Sequence, residues 1–282
     1  MSGESRGSVA GVPTLVASDL DRTLIYSSAA LALAMPDDQA PRLTCVEVRG
    51  GRPLSYATER AARLLEEIAA EAEFVPVTTR TREEYRRVHL PGPQPRYAIC
   101  ANGGHILVGG RTDREWHHHV RAGLADSCAP LAEVLDHLVQ AADTAWLHKA
   151  RVAEDLYAYL VVDAALLPDG WVKELEEWAD ARGWTVSRQG RRIYAVPKPL
   201  TKSAALAEVA RRTGAARVLA AGDSLLDAEL LLAADKGWRP GHGELAEAGW
   251  DAPHVTALDT VGVAAGEEIL RRMLERVRTP SA

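Results

Sequence analysis

At 282 residues the chain is long enough to bury one large core, or a core carrying an insert. Its 47% hydrophobic and 26% charged residues are ordinary for a soluble globular protein, and no apolar stretch approaches the length needed to span a bilayer. A net charge of −6 argues against a nucleic-acid partner, which would want a basic face, and three scattered cysteines (Cys45, Cys100, Cys128) suggest neither a disulfide framework nor a zinc knuckle.

The first 13 residues form a Gly/Ser-rich tail without the apolar segment of a signal peptide, so a cytoplasmic, membrane-free setting is expected. The apolar run Leu15–Ser18 then reads as a strand. A helix follows over Thr58–Ala72, where Ala61, Leu64, Leu65, Ile68 and Ala72 repeat on one face. Phe74–Val77 and Tyr97–Cys100 read as two further strands, the second ending in Asn102-Gly103-Gly104. Strands alternating with helices imply a parallel sheet covered on both faces, an α/β Rossmann-like core.

From Thr112 to Arg192 the pattern changes. A helix carrying Leu131, Val134, Leu135 and Leu138 precedes the apolar strand Leu156–Val162; a second helix opens at Pro168 and bears Trp171, Leu175 and Trp178. Trp184–Arg188 and Arg191–Val196 flank Gln189-Gly190, a hairpin signal. Five of the seven tryptophans lie between Trp116 and Trp184, as expected of a separate packing unit. The organisation expected is a core of residues 14–111 and 193–282 interrupted by an α+β cap of residues 112–192. In the second half of the core, Lys202–Thr213 is a helix with Gly214 as its C-cap, Val218–Ala221 a strand running into Gly222-Asp223 and a helix, and His254–Leu258 a final strand.

Four of these segments end in groups that bear chemistry. Asp19 and Asp21 follow the first strand; Thr78, with Thr79 and Arg80, follows the second. Lys202 opens a helix behind Thr201, a good N-cap, and Asp223 ends a strand one helical turn before Asp227. In open α/β sheets ligands bind beyond the carboxyl ends of the strands. Clustered carboxylates repel and stay ionised only with a cation or strong donors between them. The set suits phosphoryl transfer through an aspartyl-phosphate: a carboxylate nucleophile, acids able to hold Mg2+, and a hydroxyl and an ammonium for the phosphoryl oxygens.

Asp-x-Asp-x-Thr, the later Thr, the Lys and Gly-Asp-Ser-x-x-Asp together resemble the four motifs of the haloacid dehalogenase (HAD) superfamily. Their order and the place of the insert resemble its Cof-type branch, which includes sucrose-phosphate and mannosyl-3-phosphoglycerate phosphatases and eukaryotic phosphomannomutase. The resemblance covers roughly residues 14–275. It implies Asp19 as nucleophile and Asp21 as general acid/base. Asp19, Asp223 and the Asp21 carbonyl would serve as Mg2+ ligands, Asp227 would hold the metal shell, and Thr78 and Lys202 would bind the phosphoryl group. It further implies a phosphatase acting on a small phosphorylated metabolite, a sugar phosphate or phosphoglycerate derivative. The rivals are a phosphomutase or phosphotransferase and, from another class, a non-catalytic phospho-acceptor protein.

The chain departs from that pattern at Arg22 and Thr79, where glycine is usual, and at Ser224 and Leu226. Thr79 competes with Thr78, because a one-residue shift of the strand end exchanges them, and Lys198 competes with Lys202. Arg188, Arg191 and Arg192, with Lys149 and Arg151, are candidates for the substrate side of the cap, or else lie on a solvent-facing hairpin. His117-His118-His119, of which only two share a strand face, reads as a solvated surface patch rather than a metal site.

Overall fold

The computed structural model describes residues 12–125 and 127–279, so the expected N-terminal tail lies, up to residue 11, outside the described residues. The chain begins with β1 (Thr14–Ser18), a hairpin of β2 (Leu43–Arg49) and β3 (Arg52–Thr58), α1 (Glu59–Glu71) and β4 (Glu73–Pro76). A short α2 (Arg82–Tyr85) leads to β5 (Tyr97–Cys100), β6 (His105–Val108) and β7 (Arg111–Thr112). Next come α3 (Arg114–Ala125), α4 (Leu131–Ala141), β8 (Leu147–Ala153), β9 (Tyr157–Val162), α5 (Trp171–Asp180), β10 (Trp184–Gln189) and β11 (Arg192–Pro197). The final segment holds α6 (Lys202–Thr213), β12 (Arg217–Ala221), α7 (Ala228–Leu232), β13 (Lys236–Arg239), α8 (Glu244–Glu247), β14 (Val255–Ala257) and α9 (Val263–Arg278).

Five strands in the order β14-β13-β12-β1-β4 form a parallel sheet. Strand side chains alternate between faces, and β1 shows what that does here. Leu15 and Ala17 join the core under α6 and α7, with Leu206, Val209 and Leu230; Val16 joins the opposite core under α1 and α9, with Leu65, Ile68 and Ile269. Both faces are therefore covered, and polar residues can emerge only at the strand tips.

A second sheet, antiparallel in the order β10-β11-β9-β8, carries its own core of Val134, Leu138, Trp146, Leu160, Leu175 and Trp184 beneath α4 and α5. It runs to Pro197, through a strand β8 that the charged sequence Leu147–Ala153 does not announce. The hairpin β2–β3 is also absent from the sequence reading, because its exposed face alternates imperfectly around a bulge at Cys45–Val48.

The three histidines correct an expectation. They lie on helix α3, not a strand, and only His118 and His119 are exposed. His117 is half-buried, stacked on His105 at 4.2 Å, with Nδ1 3.1 Å from the Gly104 carbonyl.

Candidate active site

The acids after β1 are placed by backbone pairing. Asp19 N–H donates to the Ala221 carbonyl at 2.9 Å, so the tips of β1 and β12 leave the sheet side by side. Asp19 and Asp223 meet there, both buried. Ligand oxygens of Asp19, Asp223 and Asp227 lie within 4.8 Å of one another. Lys202, fully buried at the first turn of α6, donates to Asp19 Oδ1 and Asp227 Oδ1, each at 2.6 Å.

The turn that carries Asp227 depends on Gly222. A Cβ at that position would stand 2.3 Å from Asp227 Cβ. With none there, the Asp227 carboxylate folds back, and its Oδ2 accepts from Asp223 N–H (3.2 Å), Ser224 N–H (3.0 Å) and Ser224 Oγ–H (2.7 Å). Asp227 is thus saturated by Lys202 and three local donors, which makes it an orienting group, while Asp19 and Asp223 keep oxygens free.

A second glycine sets Lys202. Gly103 has φ +100°, and a Cβ there would stand 2.1 Å from the Thr201 carbonyl oxygen. Beside it, Asn102 Nδ2 donates to the Leu200 carbonyl at 2.7 Å, joining the turn after β5 to the start of α6.

The charges do not balance. Three buried carboxylates share one ammonium, with the Arg22 guanidinium 3.8 Å from Asp223. Burial pushes Asp19 up to about 7 against the pull of Lys202, with Asp227 and Asp21 adding to the rise. Asp223 is likewise driven well above its ordinary value, by burial and then by Asp19 and Asp227. Burial alone would lower Lys202, but the two aspartates outweigh it and raise its pKa. A hard oxygen donor set short of positive charge is what Mg2+ fits.

Asp21 behaves differently. Its half-exposed carboxylate is not one of the three clustered acids and takes two hydrogen bonds from Arg80, Nε to Oδ2 at 2.7 Å and Nη2 to Oδ1 at 2.8 Å. Enclosure raises its pKa, yet Arg80, followed by Arg192 and Lys202, outweighs that and holds it below its ordinary value. Arg80 is fixed from behind by buried Glu47 at 2.8 Å, itself held by Ser55 Oγ at 2.8 Å. Glu47 sits on the unannounced hairpin, and no sequence signal linked it to the site.

Thr78 is fully buried, and its Oγ1 accepts from Arg80 N–H at 3.1 Å. Thr79 is also buried, but its carbonyl is the group in use, accepting from the Tyr157 hydroxyl of the second sheet. Lys198 pairs with Asp180 at 2.6 Å on the surface, leaving Lys202 as the lysine of the site. Arg191 and Arg192 face Asp21 and Arg22 across a cavity of about 570 Å³. Arg188 does not reach it: its side chain is exposed and its N–H is tied to Glu244. Arg22 has φ +65°, the left-handed region where glycine is usual, and it lines the same cavity.

No family model matches the sequence, and no curated protein is similar to it. Solved structures are similar in fold. The sucrose-phosphatase of Synechocystis sp. PCC6803, in complex with sucrose and phosphate, superposes with a TM-score of 0.63 at 15% identity, covering 93% of this chain and 98% of that one. A haloacid dehalogenase-like hydrolase from B. subtilis gives 0.55 at 17% identity, over 92% and 99% of the two chains. The HAD subclass IIB sugar phosphatase BT4131 gives 0.54 at 14%, over 94% and 99%. The chain therefore has the α/β fold of the HAD phosphatases, at identities that speak for the fold alone.

Proposed function

We propose that the protein is a Mg2+-dependent phosphoric monoester hydrolase that acts on a small phosphorylated metabolite through an aspartyl-phosphate on Asp19. The observation that carries this reading is the buried Asp19–Lys202–Asp227 chain beside Asp223, a carboxylate nest with one fixed ammonium at the tips of parallel strands. Phosphatases among the fold relatives support it.

Asp19 has one oxygen held by Lys202 and the other free to attack phosphorus. As the new P–O bond forms, the ester P–O bond breaks and the Asp21 carboxyl gives its proton to the leaving alkoxide. Water then attacks the phosphoryl group of Asp19, with the Asp21 carboxylate taking its proton, and inorganic phosphate leaves as Asp19 is restored. Lys202 and the Thr78 hydroxyl neutralise and hydrogen-bond the phosphoryl oxygens. Asp19, Asp223 and the Asp21 carbonyl would hold Mg2+, which supplies charge neutralisation to the phosphoryl oxygens. The second sheet serves as a cap that covers the cavity, excludes water and restricts entry to small molecules.

The test is phosphate release from a panel of metabolite phosphates with and without Mg2+. Release that requires Mg2+ and vanishes in Asp19→Asn is expected; undiminished release by that variant would sink the reading. An isomerised sugar phosphate in place of free phosphate would favour a phosphomutase.

A further inference from the structure

The register of the second sheet puts cations in rows. Lys149 lies opposite Val161, Val161 opposite Arg192, and Arg192 opposite Gln189; one step along, Arg151, Tyr159, Tyr194 and Ser187 form the next row. The other face of the same strands, with Leu160 and Ile193, is buried under the helices. The rows therefore look toward the catalytic core.

Two cavities follow one another along this face. The first is the 570 Å³ cavity that contains Asp21 and Arg22 and ends at Gln189, Arg191 and Arg192. The second, of about 630 Å³, shares Val161, Arg191 and Arg192 with it and continues to Arg49 on the hairpin and to Lys149 and Arg151. Among the described residues, two of the cations lining the second cavity form ion pairs: Arg87 with Glu47 at 3.4 Å, and Arg192 with Glu84 at 3.2 Å. Arg49, Lys149, Arg151 and Arg191 form no ion pair among the described residues. The carboxylates that line this second cavity are Glu83 and Glu84. Four unpaired cations around one concavity, in a chain of net charge −6, form a local field that favours an anion.

We infer that the substrate is a phosphate monoester bearing a second anionic group, a carboxylate or a second phosphate, which the second cavity receives on Arg191, Lys149, Arg151 and Arg49. This rests on the phosphatase reading of the first cavity. Adjacent strands are ~4.8 Å apart, so Lys149, two strands from Arg192, stands roughly 10 Å beyond the wall between the cavities. The second anion accordingly lies several bonds from the phosphate. The exposed guanidiniums suit a carboxylate or phosphate in two-point contact.

The experiment compares kcat/KM for two pairs of esters that differ in the second anion: 6-phosphogluconate with glucose 6-phosphate, and fructose 1,6-bisphosphate with fructose 6-phosphate. The wild type is expected to prefer the doubly anionic member of at least one pair by about tenfold or more, and Lys149→Ala/Arg151→Ala to erase that preference through KM. Both residues are exposed, so the variant should fold, and Lys149→Arg should restore most of the preference. No preference in either pair, or one untouched by the double variant, overturns the inference. If no ester, p-nitrophenyl phosphate included, is hydrolysed, it is the phosphatase reading that has failed. Calorimetric binding of 6-phosphogluconate then decides: about tenfold weakening in the double variant supports the anion site, and equal or absent binding overturns it.

Discussion

Arg80 grips Asp21 with two parallel hydrogen bonds of 2.7 and 2.8 Å while Glu47 grips Arg80 from the other side at 2.8 Å. The acid/base proposed for the reaction is thus aimed by a guanidinium that is itself immobilised, and its pKa is held down by that contact. Arg80→Gln removes the charge. Because Asp21 must carry a proton for the first step, its release from Arg80 moves the alkaline limb of kcat/KM upward. Turnover falls about tenfold as the carboxyl loses its orientation. A pH–rate profile checks both, and a limb that stays put or moves down contradicts them.

Arg22 occupies left-handed backbone at φ +65°, where a non-glycine residue costs about 1 kcal/mol. Strain retained beside a cavity points to use of the side chain. Arg22→Gly is expected to raise stability by up to ~1 kcal/mol in denaturant titration while raising KM several-fold. A variant both less stable and unchanged in KM would show that Arg22 has a structural role.

Gly103→Ala places a methyl group against the Thr201 carbonyl, 2.1 Å away, on backbone at φ +100°. The start of α6 has to retreat, taking Lys202 with it. A loss of about 2–4 kcal/mol in urea unfolding, with turnover reduced beyond what the unfolded fraction explains, is the expected outcome.

Much of this was legible in the sequence because the parallel sheet is buried on both faces and its strands read as apolar runs. Lys202–Thr213 and Tyr97–Cys100 match their expected bounds, and α1 lies one residue inside each end of its expected span, with Thr58 as N-cap accepting from Ala61 N–H. Asp19, Lys202, Asp223 and Asp227 converge since each sits at a strand tip or helix start that a local pattern marks. Arg80–Asp21–Glu47 was not legible as a unit: its members come from a loop, a strand tip and an imperfectly alternating hairpin, and only tertiary pairing joins them. Strand β8 was hidden for a related reason, since its Lys149 and Arg151 face a cavity rather than a core.

Glu154, at the turn between β8 and β9, ties the second sheet to the core through Arg82, whose Nη2 lies 2.6 Å away. Burial raises its carboxyl, but the nearby His105, with Nε2 3.6 Å away, and the hydrogen bonds from Arg82 prevail and hold it far below 4.5. Its stabilisation is therefore full above about pH 4.5 and is lost as pH falls through the carboxylate range. Glu154→Gln should cost roughly 1–3 kcal/mol at pH 7 and flatten the acid side of a Tm–pH curve. An unchanged acid slope would remove Glu154 from that role.

Asp223→Asn replaces a buried carboxylate of raised pKa by a neutral isostere. It is expected to unfold at a higher temperature than the wild type without metal. Saturating Mg2+, at about 100 times Kd, should add ~2.7 kcal/mol to the wild type and almost nothing to the variant. Equal Mg2+ stabilisation of both would place the ion elsewhere.

The most direct measurement is acid-quenched peptide mass spectrometry during turnover of a hydrolysed ester. A phosphoryl adduct on the peptide containing Asp19, absent in Asp19→Asn together with turnover, is the expected result. Turnover that persists in Asp19→Asn, or an adduct mapped to Asp21, Asp223 or Asp227, would contradict the assignment of Asp19 as nucleophile.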